Sequence, residues 1–240
     1  MEKMRAIVLR TVKYGENQIV VDFFTESYGR LAFMVRLPKS SSGKNKRQYF
    51  QPSMILNIEF DFRSKKELQT LKNVSIAFPY MSLPFSFLKI TVSLFLAEFL
   101  TYVTRCEQAN LPLFEFICKS FMWLDAAESS IANFHIVFLL RLPLFLGFEP
   151  DVTSYSEQKY FDLQEGSFVE HVPTHVHFLS IKDSFALVQL LRLSYKTMHL
   201  YAMSRQERYH CVEVIIDYYR LHVPNLPEIK SLPILRDLFD

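Results

Sequence analysis

A chain of 240 residues, half of them apolar and with 23 Phe and 12 Tyr, holds more core than one small domain needs and points to two compact domains or one with a large extension. Its formal charge of +2 hides two unlike parts: residues 1–80 carry 14 Lys and Arg against 7 Asp and Glu, a surplus of 7, whereas residues 81–240 carry 13 against 18, a deficit of 5. A basic head attracts a polyanion and an acidic body must bind through apolar contacts, while three widely spaced cysteines exclude a disulfide frame and five glycines a dinucleotide fingerprint.

The first eighty residues alternate with the period of strands. Ala6 to Arg10, Gln18 to Thr25, Leu31 to Leu37, Met54 to Phe62 and Leu68 to Phe78 are the five predicted strands. Glu26-Ser27-Tyr28-Gly29-Arg30 turns the second into the third, with Gly29 free to take positive φ. Five short strands separated by turn signals predict a small Greek-key barrel of the OB type over residues 1–80. The start of the chain lacks the apolar stretch and cleavage site of a secretory leader, so a cytosolic protein is expected.

After Phe78 the period becomes helical. Helices are predicted from about Phe87 to Arg105, from Asn110, a capping residue with Pro112 in the first turn, to about Ala127, and from Ser129-Ser130 to near Gly147. Capping boxes at Ser180 with Asp183 and at Ser204 with Glu207 mark two further starts, and Ser231 caps a last short helix. Residues 148–179 lack this pattern and read as a β-hairpin around Glu165-Gly166, inserted in a helical domain spanning 81–240. The longest apolar run, Ile90 to Leu100, contains Glu98 and is too short to cross a bilayer, so no membrane span is predicted.

The densest chemical signal is Arg36-Leu37-Pro38-Lys39-Ser40-Ser41-Ser42-Gly43-Lys44-Asn45-Lys46-Arg47, five cations without an acid. Flexible cations at a barrel mouth follow a phosphate backbone without fixing a base sequence, and a solvated loop has the same composition. Arg30 and Lys13 extend the track, and Tyr49 and Phe50 beside it offer rings for base stacking or for the core. The tract lacks the glycine and lysine order of a nucleotide-binding loop. His171, His175 and His177 form the nearest approach to a metal cluster but need a further ligand such as Glu170 or Cys211, and polar residues on an exposed loop are the favoured reading. Cys106, Cys118 and Cys211 fall on apolar helical stretches where inert burial is usual, and Glu26 with Asp22, or Asp61 with Glu59, read as strand surface charges as readily as acid–base pairs. Phe134 to Phe148 is core or, alternatively, a groove for an acidic, apolar peptide tail whose carboxylate meets Arg141.

Ala6 to Arg10, Asp22 to Glu26 with Tyr28-Gly29-Arg30, the Lys39-Ser40 loop, Gln51-Pro52, Leu68 to Leu71, Ala97 to Leu100, Phe138 to Phe148 and Lys230-Ser231-Leu232 follow in the order and spacing of one family. Over nearly the whole chain the sequence resembles the RecO family of bacterial recombination mediators. The resemblance implies an α+β protein, an OB-fold barrel followed by a helical domain, which binds single- and double-stranded DNA and anneals complementary strands. It implies RecR and the C-terminal tail of the single-strand-binding protein as partners, RecA loading as the outcome, the bacterial nucleoid as the place, and no bond-breaking reaction or cofactor. On this basis Arg30, Arg36, Lys39, Lys44, Lys46 and Arg47 neutralise phosphates, and Arg141 meets the tail. Many members carry a four-cysteine zinc module where residues 148–179 hold no cysteine, so aromatic packing by Tyr155, Tyr160, Phe161 and Phe168 is expected instead of metal. A scaffold docking an acidic partner on its basic loop, and a hydrolase built on the histidines, are the competing readings.

Overall fold

The computed structural model describes residues 1–37, 47–105 and 107–236. Its contacts define two units, one comprising Met1–Ala126 with the described part of Pro227–Leu238, the other Ala127–Leu226. The helices that follow the barrel therefore group with it.

Five strands close the expected barrel in the order β1-β2-β3-β5-β4: β1 (Glu2–Tyr14), β2 (Gln18–Thr25), β3 (Gly29–Arg36), β4 (Ile55–Phe60) and β5 (Leu68–Ile76). All pairings are antiparallel except the short parallel closure of β3 with β5, Ala32 to Met34 against Leu68 to Thr70. Alternation sends Ala6, Val8, Ile19, Val21, Phe23, Phe33, Val35, Ile58 and Phe60 inward, where Phe23, Phe33 and Phe60 meet edge to face. A 3₁₀ turn, Gln48–Phe50, inserts Phe50 into this core, 2 % exposed.

The outward side divides in two. Ile7, Phe24 and Ile55 lie opposite one another on β1, β2 and β4, and all three are buried although they are not part of the barrel interior. Helix α1 (Phe87–Val103) packs along β1, and α2 (Leu111–Ala126) brings Phe114 to Phe24, centroids 6.3 Å apart. Gly29 turns β2 into β3 at φ +66°, and a Cβ there would stand 2.3 Å from the Glu107 carbonyl oxygen. Only glycine fits.

Four carboxylates pin the first unit. Arg5 bridges Glu26 and Glu115 and lies over the Phe114 ring at 5.2 Å. Asp125 accepts the N–H groups of Met81, Ser82 and Leu83, at 2.8 Å and 2.7 Å for the last two, while Lys89 Nζ donates to its carbonyl at 2.8 Å. Glu98 accepts Lys230 N–H and Ser231 N–H, each at 2.9 Å, and the Ser231 hydroxyl. The Ser231 hydroxyl thus ties α1 to the start of the short helix α7 (Leu232–Arg236), whose first turn closes from Leu235 N–H to the Ser231 carbonyl at 3.0 Å.

The second unit holds α3 (Phe134–Arg141), α4 (Pro143–Leu146), α5 (Ile181–Leu191) and α6 (Arg205–His222). Pro143, without an N–H, breaks the predicted third helix in two. Ser180 accepts Asp183 N–H, and Ser204 with Glu207 completes the capping box. The hairpin β6 (Tyr160–Asp162) and β7 (Ser167–Val169) gains an unforeseen third strand, β8 (Phe178–Leu179), on its other side. Tyr155 and Phe161 meet Phe168 edge to face at 5.0 Å, Tyr160 meets Phe178 at 5.9 Å, and Gly166, at φ +64°, leaves room for the Tyr218 hydroxyl. Aromatic packing therefore holds the insertion together.

Candidate nucleic-acid interface

Strand register builds the open half of the barrel's outer face, because side chains directly opposite across antiparallel strands share a face. Tyr14, Gln18 and Arg36 form one row across β1, β2 and β3. Val12, Val20 and Met34 form the next, continued by Thr70 on β5, and Arg10, Asp22 and Ala32 the third. Tyr14 is 58 % exposed and Val12 47 %, with Arg36 exposed beside them. An aromatic ring, an apolar strip and cations at its margins suit unpaired bases on a phosphodiester backbone.

The predicted cations occupy different situations. Arg36 and Arg47 are exposed. Arg30 is half-buried, its guanidinium donating to Asp22 Oδ2 at 2.8 Å and to the Thr101 carbonyl at 2.7 Å. Arg10 joins the same carboxylate at 2.9 Å from an exposed position. Lys39, Lys44 and Lys46 lie outside the described residues, and Lys13 stands exposed near the end of β1. Phe50 is core and takes no part in stacking, while Tyr49 packs half-buried against the same cluster. The residues that sequence reasoning passed over are Val12, Tyr14 and Met34; the signal for the first two was strand alternation continuing past Arg10.

The other candidate groups are accounted for by their neighbours. Glu59 pairs with Lys3 at 2.8 Å and Asp61 with Lys72 at 2.5 Å, leaving both pairs of strand carboxylates bound to cations. His175 Nε2 lies 3.1 Å from the buried Asp162 carboxylate, and the His175 and His177 rings are 6.2 Å apart. Among the described residues no group of three or more His, Cys, Asp and Glu side chains could hold a metal ion. Burial pushes the Cys118 and Cys211 thiols up to about 12, which suppresses the thiolate a nucleophile needs; Cys106 lies outside the described residues. No helix among the described residues is long and apolar enough to cross a membrane.

In the second unit Phe134 and Ile136 to Leu140 are buried, so the first half of the Phe-rich stretch is core, while Leu144 further on is exposed. Arg141, exposed at its end, donates to the Leu193 carbonyl at 2.8 Å. An apolar cleft of about 300 Å³ opens instead between α5 and α6, with Phe185, Met203, Cys211 and Val214 in its wall and Lys182 and His210 among its polar lining.

Family models account for nearly the whole length: Recombination protein O N terminal matches residues 1–80, and Recombination protein O C terminal matches residues 84–233. The chain belongs to the RecO family. RecO relatives include the DNA repair protein RecO of Bacteroides fragilis, 39% identical over 241 residues and 100% of both chains, and that of Phocaeicola vulgatus, 39% identical over 239 residues, 100% of this chain and 99% of the relative. The DNA repair protein RecO of Flavobacterium johnsoniae is 35% identical over 243 residues, 99% of this chain and 98% of the relative. The RecO match spans both the barrel and the helical part.

Proposed function

We propose that this chain serves DNA repair and recombination by holding single strands on the open face of its barrel and bringing complementary strands together. The observation that carries this reading is the row of Tyr14, Gln18 and Arg36 across three strands, beside the apolar strip of Val12, Val20 and Met34. Phosphate contacts from Arg36, Arg47, Lys39, Lys44 and Lys46 supply affinity and relieve repulsion between two backbones, and the bases select their own partners. Arg30, tied to Asp22 and Thr101, supports the face from beneath its edge. Double-stranded DNA binds through the same cations with less help from the strip. No step here makes or breaks a covalent bond.

Family membership supports the rest: cooperation with RecR, reception of the single-strand-binding protein's tail on the second unit with Arg141 meeting its carboxylates, and RecA loading onto the cleared strand. The test is strand annealing by the full chain, with and without that tail peptide. Replacing Lys39, Lys44, Lys46 and Arg47 together by Ala is expected to weaken oligonucleotide binding and annealing while leaving the melting transition in place; unchanged binding at moderate salt would remove the loop from the interface. An acidic peptide without phosphate that binds as tightly as DNA would favour a scaffold instead.

A further inference from the structure

The barrel's closure is incomplete beside the open face. β3 and β5 pair over three residues only, ending at Met34 and Thr70. Immediately beyond, Lys72 is a bulge: Glu59 pairs with Asn73 and Phe60 with Leu71, leaving Lys72 without an opposite residue on β4. A bulge bends its strand, and here it bends β5 where the parallel pairing with β3 has stopped. Between the diverging strands opens a slot of about 480 Å³. Val35, Phe50, Leu71 and Val74 line its depth, all packed in or against the barrel core. Met34, Arg36, Thr70 and Lys72 stand at its mouth, and Arg36 belongs to the row of Tyr14 and Gln18.

We infer that this slot takes one unpaired nucleotide of a DNA single strand, its base on the apolar floor and its phosphate at Arg36. The inference rests on reading the barrel as a DNA-binding face and adds what that face recognises. Charge complementarity decides the occupant, because an apolar pocket with the exposed Arg36 and a hydroxyl at its mouth, and Lys72 shared with Asp61 beside them, matches a flat heterocycle carried on an anionic chain. A strand crossing the barrel along the Tyr14 row arrives at the slot beside Arg36. A base already paired in a duplex enters only by unstacking and unpairing, so the slot distinguishes strand from duplex and lets go of the product once annealing is complete.

The experiment uses the full chain and a short thymidine oligonucleotide carrying one 4-thiothymidine, irradiated and mapped by mass spectrometry. Crosslinks are expected on Val35 to Leu37 or Leu71 to Val74, and are expected to vanish when the complementary strand pairs the modified base. In parallel, Thr70→Trp, which fills the mouth from an exposed position, is expected to lower affinity for the oligonucleotide about tenfold and affinity for an abasic chain of the same length far less. Crosslinks confined to other segments, or persisting undiminished in the duplex, overturn the slot, and in the native chain they decide it even if the Trp variant does not fold. If both probes bind while crosslinks fall elsewhere, the slot alone fails; if neither binds in dilute salt, the DNA reading fails with it.

Discussion

Asp22 and Arg30 sit diagonally on neighbouring strands and meet at 2.8 Å, Asp22 being only 6 % exposed. The carboxylate also holds Arg10, and the arginine also reaches the end of α1 through the Thr101 carbonyl. Together they mark where the covered half of the barrel face gives way to the open half. Arg30→Ala leaves a buried carboxylate short of a partner and is expected to lower unfolding free energy by about 2–3 kcal/mol in urea titrations. Its effect on DNA affinity at a temperature where the variant is folded should be small.

Arg36→Ala and Tyr14→Ala are expected to do the reverse. Neither side chain is buried, so melting should change little, whereas single-strand affinity should fall. Loss of Arg36 should reduce the slope of log affinity against log salt by about 0.7, one phosphate contact on a single strand. Removal of Tyr14 should cost about 1–2 kcal/mol at any salt, the scale of one stacked base, with duplex affinity less affected. Equal losses on single strand and duplex for Tyr14→Ala would place the ring outside the base contacts.

Acid should loosen the first unit. Hydrogen bonding from Arg5 holds the Glu26 carboxyl below its ordinary 4.5. Burial alone would raise Asp125, but the N–H groups of Met81, Leu83 and Ser82, with Lys89 nearby, hold it below 3.8. Both groups bind protons more readily in the unfolded chain, so their stabilisation is complete above those ordinary values and disappears as pH falls through the depressed folded ones. Urea midpoints are therefore expected to be steady from about pH 7 to about pH 5 and to drop below about pH 4.5. Asp125→Asn should lower the unfolding free energy at neutral pH by about 2 kcal/mol and flatten the acid slope.

Two glycines offer a matched comparison. Gly15 and Gly29 share a positive φ, +70° and +66°, but a Cβ at Gly15 meets nothing within 4 Å, whereas at Gly29 it meets backbone at 2.3 Å. Gly15→Ala should cost about 1 kcal/mol, the conformational term alone, and Gly29→Ala more than about 3 kcal/mol in thermal or urea unfolding. Similar losses at both sites would mean that the segment at Glu107 yields.

The barrel was legible because Ile19, Val21 and Phe23, and Phe33 and Val35, alternate cleanly, and the helix starts because Ser180 and Ser204 carry their capping partners three residues on. β1 read short, since Glu2 to Arg5 and Thr11 to Tyr14 are mostly polar and owe their extended state to hydrogen bonding with β4 and β2. β8 was missed because two residues carry no period. At the site, cations could be found by composition, but their availability could not. Arg30 is engaged only because register sets it beside Asp22, and Phe50 is core only because a 3₁₀ turn swings it inward. Likewise, the slot depends on a bulge that no residue type announces.

Glu98 ties together parts of the chain far apart in sequence, accepting from Lys230 and Ser231 at the far side of the entire second unit. During synthesis the barrel and its two helices emerge first, yet the strap that completes their unit comes off the ribosome only after the whole second unit. A shortened chain that stops before Lys230 leaves Glu98 without these donors, so fragments cut at the barrel's border are unsuited to judging what the intact molecule does.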